Sequence, residues 1–170
     1  LLGDPEIQAE KSFAGVMQTF DNTRPLVAAM AVGLTRACIE EMERILKDCG
    51  VVPDYNRPLH RQSSAVAELV TMKADYEAAR LLTMQAAWMA DNAQPNSLEA
   101  SLAKAKAGRT CVNVALKCVE LAGSIGYTET ALLEKWSRDA KILDIFEGTQ
   151  QIQLLIIARR LLGKSSAELK

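Results

Sequence analysis

Residues 138–153 read RDAKILDIFEGTQQIQ, and this stretch decides the fold. Its charged residues fall on the outer faces of a helix, while one face carries the apolar side chains of Trp136, Ala140, Leu143 and Phe146. Gly148 can take the left-handed conformation that ends a helix, and Thr149 is a good N-cap for the apolar run that follows. The stretch therefore predicts an amphipathic helix, a break at Gly148 and a second helix.

Glu147 lies at the junction of these two predicted helices. A carboxylate in the last turn of a helix opposes the negative end of the helix dipole, at a cost of a few tenths of a kcal/mol to roughly 1 kcal/mol. Spacing alone leaves two interpretations. Glu147 is either a solvated residue at a helix end, which is the more common case, or a carboxylate with a chemical role.

The rest of the chain shows the same helical period. A short helix up to about Phe20 is predicted to lead into three long amphipathic helices, and shorter helices complete the chain. Asn96 and Glu99 have the spacing of a capping box at the start of the third long helix. That helix is predicted to bury Leu98, Leu102 and Leu116. The long helices are expected at residues 27–49, from about 61 to 90, and at 97–122.

Composition agrees with a helical domain that has a core of its own. The chain has 170 residues, of which 49% are hydrophobic and 24% charged, so one ordinary domain is expected. Few glycines and prolines and many good helix formers predict helix almost throughout, and no sheet. Helices of this length joined by short turns predict an all-α, up-down helical bundle.

Several function classes are disfavoured by the same composition. A net charge of −1 argues against a nucleic-acid surface. The longest apolar run, residues 26–34, is far shorter than the ~20 residues that a membrane helix needs. The cysteines lack Cys-x-x-Cys spacing and the chain has one histidine, so no metal site is predicted. Core positions are predicted for the free thiols and methionines, notably Cys38, Cys49, Cys111, Cys118, Met30, Met42, Met72 and Met89.

The pattern Arg-Asp-Ala-Lys-Ile-x-x-Ile-x-Glu-Gly-Thr-x-x-Ile-Gln in residues 138–153 resembles the signature near the C-terminus of flavin-dependent acyl-CoA dehydrogenases. The likeness extends from about Phe13 to Gly163 and covers the C-terminal helical domain of that family. It implies that residues 1–170 form a single helical-bundle domain of a larger acyl-CoA dehydrogenase, without its N-terminal helical and middle β domains. We expect the isolated domain to be inactive and to bind little or no flavin.

The resemblance implies a role for Glu147 as the base that removes the α-proton of an acyl-CoA thioester. Some branches of the family carry the catalytic glutamate on an earlier helix, at a position that corresponds to Thr23 in this chain. A threonine cannot act as a carboxylate base. Glu147 is therefore the one candidate that the family pattern leaves for this role.

Other site residues follow from the same resemblance. Thr149 and Gln151 match family positions that meet the flavin of FAD, although a helix cap is the simpler role for Thr149. The segment Thr-Phe-Asp-Asn-Thr-Arg-Pro at residues 19–25 resembles one that lies near the acyl-CoA channel, so Asp21 and Arg24 are candidate substrate contacts. Gly148, beside the base, is assigned to the substrate site as well.

Two flavin motifs depart from the family pattern. The Arg-x-x-Phe-Gly expected after the first long helix is replaced by Asp-Cys-Gly-Val-Val-Pro at residues 48–53, and Glu120 takes the place of a glutamine in Gln-x-x-Gly-Gly. A carboxylate ~4 Å from a phosphate charge would be repelled by about 4 kcal/mol at an effective dielectric of ~20. Contact between this surface and the flavin of a neighbouring subunit is therefore in doubt.

These departures leave alternatives open. The first expectation is an FAD-dependent acyl-CoA dehydrogenase that passes electrons to an electron-transfer flavoprotein-like acceptor. The others are a non-catalytic or flavin-deficient partner subunit of a heteromeric acyl-CoA dehydrogenase, and an acyl-CoA oxidase-like homologue. The resemblance further implies a homo- or hetero-oligomer in the bacterial cytoplasm or the mitochondrial matrix.

Overall fold

The computed structural model describes the backbone of residues 9–165 and 168, with side chains from Gly15 onward. Five α-helices and two short 3-10 segments, Leu59–Arg61 and Gly123–Tyr127, make up this part of the chain, and it contains no strand. The all-α fold class is confirmed. The helices are α1 (Ala9–Asp48), α2 (Ser64–Asp91), α3 (Ser97–Ala122), α4 (Leu133–Leu143) and α5 (Gln150–Leu162).

Helix α3 is the centre of the up-down bundle. It contacts each of the other four helices, while α1 and α2 also pack against one another. The core between the three long helices is built from large side chains of α1 and α2, including Met42, Ile45, Leu69 and Met72, each 5% exposed or less. Helix α4 adds Leu133 and Ala140, so the core is continuous from α1 to α4.

The buried face of α3 is made of small residues. Its leucines were expected to fill the core, but Leu116 is 54% exposed and Leu98 and Leu102 are only half-buried. That prediction is wrong because α3 is surrounded by neighbours, and small side chains let several helices approach its backbone at once. The fully buried positions include Ala100, Ala103, Ala107, Cys111, Ala115 and Cys118.

Helix α1 is continuous, whereas the sequence suggested a short helix followed by a long one. Pro25 lies inside α1. Proline has no N–H group, so the carbonyl of Asp21 loses its usual helical donor. The side-chain amide of Asn96 donates a long hydrogen bond of 3.5 Å to that carbonyl and a second one of 3.1 Å to the carbonyl of Ala86. Packing against the start of α3 therefore helps the helix to continue through the proline.

Asn96 is the N-cap residue of α3, as predicted, but its side chain does not cap the helix. The side-chain amide is committed to the two carbonyls of α1 and α2. The capping box with Glu99 is thus not formed by the Asn96 side chain.

Helix α4 ends at Leu143, four residues earlier than the sequence suggested. Its apolar face is as predicted, with Ala140 and Leu143 buried. The early end coincides with a close crossing at Gly108 of α3, where a Cβ atom would lie 3.0 Å from the carbonyl oxygen of Leu143. Glu147 is therefore not in the last turn of a helix, and the dipole argument for its placement does not apply.

Two further core predictions are corrected. Cys49 is exposed in the turn after α1, whereas Cys38, Cys111 and Cys118 are buried free thiols as predicted. Met30 is 56% exposed, because it falls outside the buried face of α1, while Met42 and Met72 lie in the core. Within the described residues, no helix combines the length and the apolar character that crossing a membrane would require.

Candidate active site

Glu147 lies in a strained turn between α4 and α5. Its φ is +59° and the φ of Gly148 is +96°, so two consecutive residues have positive values. Glycine adopts this region readily, but a residue with a Cβ atom pays on the order of 1–3 kcal/mol there. The Glu147 side chain is half-buried. The surrounding structure must supply contacts that hold a glutamate in this conformation.

Thr23 of α1 makes the contact to the carboxylate itself. Its hydroxyl donates a hydrogen bond of 2.8 Å to Oε2 of Glu147, and the contact is partly buried. The two residues are 124 positions apart in the chain, so the bond joins α1 to the turn before α5. The position at which some family branches carry their glutamate thus faces Glu147 directly.

Two fully buried side chains bind the backbone of the turn. Gln153 of α5 lies with its Nε2 atom 3.0 Å from the carbonyl oxygen of Glu147 and 3.1 Å from that of Gly148. Lys104 of α3 donates from Nζ to the same Gly148 carbonyl over 2.7 Å. Both side chains have 0% exposure. The turn is thus held from α1, α3 and α5.

Charge around Lys104 is mixed. Burial lowers the pKa of the Lys104 ammonium, and the carboxylate of Asp144 opposes this shift. The guanidinium of Arg24 adds to the lowering, while the carboxylate of Glu147 works against it. Asp144 is 3% exposed and accepts a hydrogen bond of 2.8 Å from Lys141. The interior beneath the turn therefore contains the buried cations Lys104 and Arg24 and the buried anion Asp144, with the half-buried carboxylate of Glu147 at its edge.

Asp21 and Arg24 form an ion pair one turn apart on α1, next to Thr23. Arg24 is 3% exposed, and its guanidinium carbon lies 5.9 Å from the centre of the Phe20 ring. The Nε atom of Arg24 has no hydrogen-bond partner among the described residues. Asp21 lines two open clefts of about 620 and 470 Å³, neither of which is lined by Glu147. The structure thus brings Thr23 to Glu147 but turns Asp21 towards a separate surface.

The two residues predicted to meet flavin lie at the start of α5. Thr149 is the N-cap residue, yet its side chain makes no capping hydrogen bond, so the helix-cap role predicted for its hydroxyl is wrong. Gln151 is exposed. Both side chains therefore have polar atoms available for a flavin, and this end of the domain fits the cofactor.

The other flavin-related surface fits less well. Glu120 is exposed and pairs over 2.8 Å with Lys117 of the same helix, so its carboxylate remains at the surface near the end of α3.

Within the described residues, no group of three or more potential metal ligands converges on a common point.

Lys104 and Gln153 were not identified from the sequence as site residues. Lys104 follows Ala100 and precedes Gly108 by one helical turn each, so a charge in the middle of the small-residue face was the available signal. Gln153 closes the motif of residues 138–153, but nothing in its spacing distinguishes an amide that binds two carbonyls from a solvated one. Both were missed because polar residues are normally exposed.

Comparison with known proteins defines the class of this domain. Residues 13–162 match the family model described as acyl-CoA dehydrogenase, C-terminal domain. The chain is 34% identical over 167 residues to the mitochondrial short-chain specific acyl-CoA dehydrogenase of Bos taurus, covering 95% of this chain and 38% of the relative.

Solved structures support the same class for this domain. The butyryl-CoA dehydrogenase of Megasphaera elsdenii superposes with a TM-score of 0.80 at 33% identity, over 89% of this chain and 39% of that one. A chain in a structure described as the electron transferring flavoprotein of Acidaminococcus fermentans superposes with a TM-score of 0.78 at 30% identity, over 88% of this chain and 38% of that one.

The chain belongs to the acyl-CoA dehydrogenase family, a family of flavoprotein oxidoreductases, and corresponds to its C-terminal helical domain. It spans less than two fifths of the length of the bovine relative and of the bacterial butyryl-CoA dehydrogenase, at 38% and 39% respectively.

Proposed function

We propose that this chain is the C-terminal domain of an FAD-dependent acyl-CoA dehydrogenase, and that Glu147 is the base for α,β-dehydrogenation of an acyl-CoA thioester. The observation that carries the proposal is the placement of Glu147. Its carboxylate is presented, half-buried, by a turn with two positive φ values that side chains from three helices support. Backbone strain of this kind persists only where the surrounding structure holds it, and it clusters at active sites.

The side chains around the turn suit the removal of a proton from carbon. A general base must be ionised and within hydrogen-bond reach of the proton it takes. Thr23 donates one hydrogen bond to Oε2 of Glu147, which orients the carboxylate. When bound, FAD would supply the acceptor for the hydride that leaves the β-carbon as Glu147 takes the α-proton.

The remaining residues would bind rather than react. Thr149 and Gln151 would hold the flavin from the start of α5, where their polar side chains are available. The family resemblance assigns polar contacts with the thioester substrate to Arg24, Asp21 and the backbone of Gly148, although Arg24 is 3% exposed and Asp21 lines clefts that Glu147 does not. An electron-transfer flavoprotein-like acceptor would then reoxidise the cofactor, and the enzyme would be an oligomer in the bacterial cytoplasm or the mitochondrial matrix.

The test is a Glu147→Gln variant of the enzyme that carries this domain. The amide keeps the size of the side chain but cannot take the proton, so turnover of acyl-CoA with an artificial electron acceptor should fall on the order of 10²- to 10⁴-fold. Glu129→Gln is the matched control, because Glu129 is exposed in the turn before α4. Near-normal turnover by Glu147→Gln would remove Glu147 from the role of base.

A second candidate is a flavin-deficient subunit that pairs with an unlike chain. The exposed carboxylate of Glu120, where family members place an amide, favours it, because an anion there repels the phosphates of a flavin nucleotide. Flavin content and subunit composition of the purified protein separate the two candidates. A homo-oligomer with FAD in every site would eliminate the second, and turnover with oxygen instead of the artificial acceptor would indicate an oxidase-like homologue.

A further inference from the structure

The turn that presents Glu147 has both of its carbonyls directed at buried donors. The Glu147 carbonyl accepts from Gln153, and the Gly148 carbonyl accepts from Gln153 and Lys104. These are the two peptide groups whose orientation depends on the positive φ values. Rotation of Glu147 into the common right-handed region would break these bonds and carry the carboxylate away from Thr23.

Lys104 is an energetically unfavourable residue at a buried position. Its side chain is fully buried, and burial disfavours the charged form of the ammonium and so lowers its pKa. An apolar side chain would fill the same space in the core without this cost. The hydrogen bond to the Gly148 carbonyl, at 2.7 Å, is the contact that an apolar side chain could not replace.

Gln153 is also energetically unfavourable at its buried position. Its side chain is fully buried, and its Oε1 atom has no hydrogen-bond partner among the described residues. An unsatisfied buried acceptor destabilises the folded state. The other end of the amide binds both carbonyls of the turn and packs so closely on Gly148 that a Cβ atom there would lie 2.5 Å from Nε2.

We propose that Lys104 and Gln153 are positioning residues for Glu147, which hold the left-handed turn so that the carboxylate stays at the Thr23 hydroxyl. This inference rests on the proposed function of Glu147 as the base. Neither residue hydrogen-bonds the carboxylate: Gln153 acts through the backbone of the turn, and Lys104 acts through the same backbone and through the attraction between its charge and that of Glu147. Their loss should impair the proton-transfer step while leaving substrate binding largely intact.

The first measurement compares Lys104→Met and Gln153→Met in the flavin-loaded enzyme. Methionine is close in size to both side chains but offers no donor. Each variant should lower kcat on the order of 10- to 10²-fold, because a small misplacement of a catalytic group has effects of that size. The KM for acyl-CoA should stay within about threefold of the original value, because the backbone of Gly148 is the one proposed substrate contact that belongs to the turn.

Lys106→Met is the matched control. Lys106 lies two residues further along α3 and forms an ion pair of 2.6 Å with Asp75 that is partly exposed to solvent. Its kcat and KM should stay unchanged. If Lys104→Met fails to fold or to retain flavin, Gln153→Met on α5 carries the same test.

The decisive measurement repeats both substitutions in the Glu147→Gln background. Residues that act through Glu147 should have less than about a twofold effect on the residual turnover, because members of one catalytic unit are strongly non-additive. An equal loss in both backgrounds would show a merely structural role and overturn the inference. Normal turnover by Glu147→Gln alone would instead refute the proposed function, so the two failures are distinguishable.

Discussion

Gly148 is the residue on which the presentation of Glu147 depends most directly. Its φ of +96° lies beyond the range that side-chain-bearing residues enter easily, and Gln153 occupies the space that a Cβ atom would need. Glu147 itself tolerates φ of +59° only because its carbonyl and carboxylate are both held. Within this turn, backbone strain and the hydrogen bonds that support it therefore fall on the same two adjacent residues.

A Gly148→Ala substitution should destabilise the domain by about 1–3 kcal/mol. The methyl group adds backbone strain and displaces the Gln153 amide from its two carbonyls. The free energy of unfolding in urea measures the loss.

Gly33→Ala is the control for this change, because Gly33 lies within α1 and a Cβ atom there meets nothing within 4 Å. That variant should gain about 0.5–1 kcal/mol from helix propensity. Equal effects of the two substitutions would mean that the turn is not strained.

At this scale the sequence singled out Glu147, whose role as a base stays a prediction, but not the side chains that hold the turn around it. The motif around Glu147 could be recognised because its residues are contiguous. Lys104 and Thr23 reach the turn from α3 and α1, and their proximity to it depends on tertiary packing that periodicity does not describe.

Among the elements, the crossing of α3 and the end of α4 sets where the turn begins. Gly108 lets the two backbones come so close that a methyl group at this position would touch backbone atoms of Leu143 and Asp144. The backbone after Leu143 turns away from α3 at this crossing. Helix α4 therefore ends there, and the turn that carries Glu147 follows. The position of Glu147 is thus determined in part by a residue on another helix.

A Gly108→Val substitution should therefore push the end of α4 away and cost about 1–3 kcal/mol of stability. A Cβ atom at this position would lie 3.0 Å from the carbonyl oxygen of Leu143 and 3.3 Å from the Cα atom of Asp144. Both obstacles are backbone atoms, so no side chain can rotate aside.

Thermal and urea unfolding measure this cost, and Gly33→Val is the control. Gly33 is exposed on α1, so valine there should leave stability within about 0.5 kcal/mol of the original. If Gly108→Val were as stable as its control, the crossing would not constrain α4.

The helical period located the helices but not all of their ends. The break expected before Pro25 is absent because packing against Asn96 offsets the lost hydrogen bond. The end expected at Glu147 comes four residues earlier, at Leu143, where the backbone of α4 crosses Gly108 of α3. In both cases a long-range contact overrides a local preference.

The whole molecule is held by a core that includes three thiols. Cys38, Cys111 and Cys118 each have 0% exposure, and they lie between α1 and α3. Burial raises the pKa of all three, to about 11 for Cys111 and to about 12 for Cys118. The neutral thiol is the form that the core accommodates.

The free energy of unfolding should consequently fall as the pH rises above about 9, the ordinary thiol pKa that the unfolded chain regains. In this range the unfolded thiols lose protons that the folded ones keep, at up to about 1.4 kcal/mol per thiol and pH unit. The lowered pKa of Lys104 makes the free energy of unfolding rise with pH, but this single group is outweighed by the three thiols, which make it fall. Urea midpoints at pH 8, 9 and 10 measure the trend.

Thiol labelling provides the control for this prediction. The native protein should expose Cys49 alone to a thiol reagent, whereas all four cysteines should react in denaturant. Stability that stays constant or rises between pH 8 and 10 would contradict the thiol argument.

The fold class was predictable because the helical pattern runs through nearly the whole chain. Which faces meet was not, as α3 shows by burying alanines and cysteines in place of leucines. A helix can lie at the centre of the bundle only if its side chains let neighbouring helices approach closely. The hydrophobicity of its residues alone does not predict how closely they approach.

The hydrogen bond between Thr23 and Glu147 has one more consequence. A hydroxyl is a rotor that can donate or accept, whereas an ammonium or an amide N–H can only donate. In the proposed reaction, the same 2.8 Å contact can therefore serve the carboxylate before proton transfer and the carboxylic acid afterwards, with the hydrogen atom reversed between the two oxygens. Lys104 and Gln153 bind carbonyls, whose character does not change. The turn can thus pass through a full protonation cycle without any heavy atom having to move.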